Sequence, residues 1–221
     1  MRTRIKICGL TREADIIAAA QAGADAIGFV FYPKSKRCLT VARAAELRRL
    51  VPAFVDVVAL FVNASADEVR AVQAAVKPDL LQFHGDETAE DCRQYGQRYL
   101  KAFRVGAPGL DSVEGVVHSC LPYGDAAGWL FDSYTPQFGG SGASFDLSLL
   151  QGLERTGDAR PVILSGGLKS ETVGASIQAV RPWAVDVSSG VEVEPGVKAV
   201  EKIVGFIRAV RVTDCGRLKK L

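Results

Sequence analysis

Short apolar runs alternate with longer amphipathic stretches from one end of the chain to the other, and that rhythm predicts repeated strand-helix units around a parallel sheet. Eight such units can be counted. Strands are expected at Ile5 to Cys8, Ala26 to Val30, Val55 to Phe61, Leu80 to Phe83, Leu100 to Arg104, Trp129 to Phe131, Pro161 to Leu164 and Ala184 to Val187. Helical patterns fill the gaps between them. Ser65 and Glu68 have capping-box spacing, and the last helix is expected to carry Val197, Val200, Ile203, Val204 and Ile207 on one stripe, with Lys198, Glu201 and Lys202 largely off it. In the fifth unit Gly115 interrupts the pattern from Leu110 to Ser119, and Pro122 and Gly124 follow, so its helix has the least support.

Eight units in 221 residues match the short end of the closed (β/α)₈ barrel, whereas an open doubly wound sheet usually has fewer strands. The expected fold is therefore α/β, a (β/α)₈ TIM barrel spanning residues 1–221 as a single domain. No segment reads as a linker, because the glycines from Gly139 to Gly142 fall between a strand and the next helix, where a functional loop belongs. After Val210 the helical stripe is lost, and residues 211–221 read as a basic C-terminal tail.

Charge narrows the partners. Twenty-seven Lys plus Arg against 25 Asp plus Glu lack the excess that nucleic-acid binding needs, and a small anionic molecule fits better. The longest apolar run, Val57 to Val62, is too short to cross a membrane, and no signal-type apolar core follows the N-terminus. The chain therefore reads as unprocessed and cytoplasmic. Five widely spaced cysteines and two histidines predict a reducing compartment and no metal site. The fingerprints of dinucleotide and nucleotide-triphosphate binding are missing, so no cofactor is implied. The Gly139 to Ala143 run imitates a serine-hydrolase elbow but does not follow its strand directly. Nothing in the sequence decides between a monomer and a homodimer.

In such a barrel the chemistry gathers at the C-terminal ends of the strands. Here those ends carry Lys6 and Cys8, Gln82 and His84, Asp132, and Asp186 followed by Ser188-Ser-Gly190. Period-two alternation turns Lys6, Cys8, Gln82 and His84 into the barrel and Ile5, Ile7, Leu81 and Phe83 toward the helices. Each polar group alone has a bland reading, as an inert buried thiol, a structural histidine or a loop cap. Ionisable groups at one end of four strands are costly to bury without purpose, and together they point to a catalytic constellation. Ser165-Gly-Gly167 and Ser188-Ser-Gly190, in adjacent units, are small-residue turns whose backbone N–H groups can approach an anion such as phosphate. Strand eight should lie beside strand one, so a Lys6 to Asp186 pair is expected beneath Cys8, its ammonium favouring thiolate only as far as Asp186 leaves it uncompensated.

The ordered motifs Lys6-Ile-Cys8-Gly-Leu-Thr11, Gly28-Phe-Val-Phe-Tyr-Pro33-Lys-Ser-Lys-Arg37, Leu81-Gln-Phe-His84-Gly-Asp-Glu87, Phe131-Asp132, Phe138-Gly-Gly-Ser-Gly142, Leu164-Ser-Gly-Gly-Leu168 and Val185-Asp-Val-Ser-Ser-Gly-Val-Glu192 resemble the phosphoribosylanthranilate isomerases of tryptophan biosynthesis. The resemblance covers nearly the whole chain. It implies a cofactor-free Amadori rearrangement of N-(5-phosphoribosyl)anthranilate to 1-(2-carboxyphenylamino)-1-deoxyribulose 5-phosphate. By resemblance Asp132 is the general acid at the furanose ring oxygen and Cys8 the base at C2. Arg37 holds the anthranilate carboxylate, where a guanidinium suits a planar anion. Gly166, Gly167, Ser188, Ser189 and Gly190 form the phosphate cradle, and Lys6, His84 and Asp186 line the site. Ser133 stands where the family pattern suggests Thr, and Lys36 where Pro is common. Ser133 to Gly142 would serve as a lid. Two other readings stay open on the residues alone: a histidine-pathway isomerase doing the same chemistry on a bisphosphate, and a barrel that binds a phosphorylated metabolite without turnover.

Overall fold

A computed structural model describes residues 2–135, 142, 144–153 and 159–218. Eight parallel strands, β1 (Arg4–Cys8), β2 (Ala26–Val30), β3 (Asp56–Phe61), β4 (Leu80–Phe83), β5 (Tyr99–Val105), β6 (Gly128–Ser133), β7 (Val162–Leu164) and β8 (Ala184–Val187), close into a barrel in sequence order. Every strand read from the sequence is present, with ends shifted by two residues at most. The helices are α1 (Glu13–Ala22), α2 (Val41–Arg48), α3 (Ala66–Val76), α4 (Ala89–Arg93), α5 (Val113–Cys120), α6 (Val173–Val180) and α7 (Val200–Leu218). The Ser65 capping box starts α3 as expected. The fifth helix forms because Ser112 caps it at the Gly115 N–H, and a Cβ on Gly115 would sit 2.5 Å from the Gly109 carbonyl oxygen.

Period-two alternation divides the interior. Ile5, Ile7, Leu81, Phe83, Val185 and Val187 face outward and pack with Ile16, Val69, Ile177 and Ile203 of the helices. Inside the barrel Val58, Leu100, Ala102, Leu130, Ile163 and Ala184 form an apolar floor. Above it the side chains turn polar, with Cys8 beside Val30, Leu60 and Val62 at the mouth.

Three expectations are corrected. Between β6 and β7 the described residues hold 3-10 structure, at Leu147–Leu150 and at Leu153, where a helix was expected; 143 and 154–158 lie outside the described residues. Val197 does not open a helix: β9 (Glu192–Glu194) and β10 (Val197–Lys198) form a hairpin about Pro195 and Gly196, and α7 begins afterwards with Val200 and Val204 exposed. Its buried stripe is Ile203, Phe206, Ile207 and Val210. The basic tail expected over 211–221 is helical as far as Leu218. Asp214 lies one turn beyond Val210 on the same face and accepts from the Thr3 N–H at 2.6 Å and the Thr3 hydroxyl at 2.9 Å, so hydrogen bonds continue what apolar packing began. Residues 219–221 lie outside the described residues, as do 136–141 of the expected lid.

Candidate active site

The β1–β8 register sets Lys6 opposite Asp186, and the Lys6 ammonium donates to Asp186 Oδ1 at 2.9 Å with both side chains buried. Cys8 lies one inward position further along β1, level with Gly28 of β2. A Cβ at Gly28 would fall 2.7 Å from Cys8 Sγ and 3.2 Å from Lys6 Nζ, so a glycine is needed for both groups to occupy the barrel. Burial disfavours the Lys6 ammonium, but Asp186 and Cys8 together outweigh it and hold the amine above its ordinary pKa. Burial also pushes the Cys8 thiol up; Lys6 and Lys198 pull it back only in part, and Asp186 adds to the rise.

Three strand positions round the barrel from β1, the end of β6 carries Asp132, whose Oδ1 accepts from the Ser133 N–H at 2.8 Å. Its Oδ2 lies 3.2 Å from His84 Nε2. His84 Nδ1 is 3.1 Å from the side-chain nitrogen of Gln82. His84 Nε2 is buried and makes no hydrogen bond among the described residues, so the imidazole faces the Asp132 carboxylate without being bonded to it. Behind this group the β4 loop is pinned. Lys101 donates to the Gly85 carbonyl at 2.8 Å and to Glu87 Oε2 at 3.0 Å, while Glu87 accepts from the backbone of Asn63 and Gly85.

The two glycine turns meet between those strands. Gly166 and Gly167 have φ of +83° and +63°, and a Cβ on Gly190 would collide with the Leu168 carbonyl oxygen. Together with Ser165, Ser188, Ser189 and Asp132 they line a hollow of about 40 Å³, room for a few water-sized groups. Larger hollows exist, of about 460 Å³ by Arg2, Leu147 and Trp183 and about 520 Å³ between α1 and α7. The first lies at the N-terminal ends of the strands and the second on the flank, away from the groups that could react. Among the described residues no three His, Cys, Asp or Glu side chains gather as a metal would require.

Arg37 reaches the same mouth but is already engaged. Its Nε and Nη2 donate to Glu192 at 2.8 and 2.6 Å, and Glu192 also accepts from Lys198 Nζ at 2.7 Å. Lys198 donates further to the Ser188 carbonyl and hydroxyl oxygens at 3.1 and 3.2 Å. Burial disfavours the charge on both Glu192 and Lys198; Arg37 and Lys198 nevertheless hold the Glu192 carboxyl below its usual range, whereas burial prevails at Lys198 and lowers it. Sequence reasoning quoted Glu192 only as part of a motif and read Lys198 only as a polar position of the last helix, with no part in the site. The signal that could have revealed them is the Glu-Val-Glu-Pro-Gly-Val-Lys run from Glu192 to Lys198, a strand-turn-strand pattern.

The family profile described as N-(5'-phosphoribosyl)anthranilate (PRA) isomerase matches residues 5–209. The N-(5'-phosphoribosyl)anthranilate isomerase of Bordetella bronchiseptica is 62% identical over 214 residues, covering 97% of this chain and 98% of its own. This chain belongs to the phosphoribosylanthranilate isomerase family. The phosphoribosyl anthranilate isomerase of Thermotoga maritima superposes with a TM-score of 0.85 at 39% identity, over 95% of this chain and 99% of that one. A second phosphoribosylanthranilate isomerase structure, in complex with reduced 1-(o-carboxyphenylamino)-1-deoxyribulose 5-phosphate, gives 0.82 at 36% identity over 95% and 99% of the two chains. The resemblance of motifs and the (β/α)₈ fold are thereby borne out, and the enzyme is an isomerase of tryptophan biosynthesis. Among the described residues of this isomerase no helix is long and apolar enough to cross a membrane.

Proposed function

We propose that the isomerase converts N-(5'-phosphoribosyl)anthranilate to 1-(2-carboxyphenylamino)-1-deoxyribulose 5-phosphate with Asp132 as acid and Cys8 as base. The supporting observation is the order of strands around the mouth: β6 with the acid and β1 with the base flank β7 and β8, whose turns offer N–H groups to a phosphate. A substrate anchored there by its phosphate presents its sugar to both reacting groups.

The steps follow from the residues. Asp132 gives a proton to the ring oxygen while the anilino nitrogen's lone pair forms C=N and the C1–O bond breaks, leaving a protonated imine. Cys8 as thiolate takes the proton from C2; those electrons form C1=C2 and neutralise the nitrogen, giving an enolamine. Protonation at C1 and loss of the hydroxyl proton at C2 yield the ketone. The positive charge of the imine favours thiolate in a thiol that burial otherwise keeps protonated.

Carboxylate recognition falls to Arg37 and phosphate recognition to Gly166, Gly167, Ser188, Ser189 and Gly190. All of these come from one chain, so monomer and homodimer serve equally; the Thermotoga maritima relatives include monomers made from a dimeric enzyme. A single domain working in the cytoplasm completes the reading.

The test is loss of anthranilate-type fluorescence on adding fresh substrate to wild type, Cys8→Ser and Asp132→Asn. General acid-base catalysis contributes roughly 10²- to 10⁴-fold, so each variant should lose at least about a hundredfold in kcat while circular dichroism stays unchanged. Turnover by a folded Asp132→Asn variant within tenfold of wild type would remove the acid from this scheme.

A further inference from the structure

We propose that Glu192, held by buried Lys198, is the positioning residue that turns Arg37 edge-on to the substrate's ring carboxylate and so sets the enzyme's selectivity for a carboxylated arylamine. The proposal rests on the reading of Arg37 given above and deepens it.

A guanidinium has two edges that can take a planar anion, one formed by Nε and Nη2 and the other by Nη1 and Nη2. Glu192 occupies the first with both carboxylate oxygens, at 2.8 and 2.6 Å. Among the described residues Nη1 donates no hydrogen bond, so the second edge remains for a ligand. The Arg37 stem lies over Gly9, next to Cys8, where φ is +76° and a Cβ would collide with Arg37 Cδ. The cation thus has its stem fixed, one edge filled and one edge open beside the base.

Glu192 is held with equal care. Its side chain is 4% exposed and that of Lys198 is fully buried, so neither can swing out to solvent. The hairpin β9–β10 sets Lys198 opposite Glu192 in register. That hairpin is tied down by Thr11 to the Gly196 carbonyl at 2.6 Å, by Arg12 to the Lys198 carbonyl at 2.8 Å and by Lys202 to the Glu192 carbonyl at 2.7 Å. Lys198 also bonds Ser188 in the anion turns, so one buried ammonium fixes the distance between the phosphate end and the carboxylate end of the site. A carboxylate paired only with a mobile surface arginine would have none of this burial. A buried carboxylate with two cations, reached by a hairpin that no barrel strand requires, points to orientation of the one cation that still has a free edge.

The test compares the natural substrate with the N-phosphoribosyl aniline that lacks the ring carboxylate, in wild type, Arg37→Met, Glu192→Gln and Glu192→Asp. Removing ground-state orientation raises KM with little change in kcat. Glu192→Gln should therefore raise KM for the carboxylated substrate at least tenfold, leave kcat within about threefold, and leave kcat/KM for the aniline analogue unchanged, with Glu192→Asp falling between. A merely structural role would depress both substrates alike. If Arg37→Met keeps wild-type discrimination, the assignment of Arg37 itself falls. If Arg37→Met abolishes discrimination and Glu192→Gln retains it, the role of Glu192 is overturned. Should Glu192→Gln fail to fold, ¹⁵N NMR of the wild-type Arg37 Nε–H decides: on adding reduced 1-(o-carboxyphenylamino)-1-deoxyribulose 5-phosphate the signal should persist, and its loss to exchange would mean that the ligand displaces Glu192.

Discussion

Cys8 stands between opposing influences that separate it from the other buried thiols. Burial alone lifts Cys120, and at Cys92 it prevails over the single Lys101 ammonium and reaches about 12, whereas Cys8 has two ammonium groups, Lys6 and Lys198, working against its burial and Asp186 working with it. A base whose conjugate acid has a raised pKa is mostly protonated at neutral pH, so kcat/KM should climb with pH for as long as the thiol remains the majority form and Asp132 keeps the proton it gives to the ring oxygen. The two halves of the ion pair should then move that limb in opposite directions. Asp186→Asn removes a negative charge near the sulfur and is expected to shift the limb to lower pH; Lys6→Met removes the positive one and shifts it higher. A limb that stays put in both folded variants would make the pair purely structural. That Lys6 meets Asp186 beneath Cys8 was legible in the sequence, because period-two alternation and the adjacency of first and last strands are the only facts required. That Arg37 meets Glu192 was not, since the two are joined only by the folded path of a hairpin.

At the scale of elements, α7 shows how a polar residue can extend a helix beyond the end of its apolar stripe. Asp214 takes two hydrogen bonds from Thr3, immediately before β1, and is itself nearly buried. Truncating it leaves the Thr3 N–H without that acceptor, and hydrogen bonds to a charged group contribute roughly 1.5–3 kcal/mol. Asp214→Ala should lower unfolding stability by about 2–3 kcal/mol in urea while kcat and KM, set at the far end of β1, stay at wild-type values. A stability change under about 0.5 kcal/mol would show that the helix end does not anchor the strand. The strands were legible because each is an apolar run bounded by turn residues. The hairpin was not: Val197 falls at helical spacing from Val200 and Val204, and that coincidence masked the Pro195-Gly196 turn between two short strands. The exposure of Val200 and Val204 has the same origin, because a stripe drawn from hydrophobic identity alone cannot tell which flank meets the barrel.

Across the whole molecule, stability and chemistry are segregated along the barrel axis. The floor is apolar, whereas among the described residues the mouth holds three buried ion pairs: Lys6 with Asp186, Lys101 with Glu87, and Lys198 with Glu192. Buried pairs of this kind are weak contributors to stability, because desolvating both charges offsets most of their attraction, yet removing one partner strands the other and costs about 3–5 kcal/mol. The double variant Lys6→Met with Asp186→Leu, which replaces both charges by apolar groups, should therefore unfold at a denaturant concentration equal to or above wild type. Lys6→Met alone should lose about 3–5 kcal/mol. Activity should follow the opposite logic, with the stable double variant losing turnover because Cys8 then lacks the ammonium that most opposes the burial of its thiol. A double variant as unstable as the single one would mean that the pair holds the barrel together, and the division between an apolar floor that carries the fold and a charged mouth that carries the reaction would have to be abandoned.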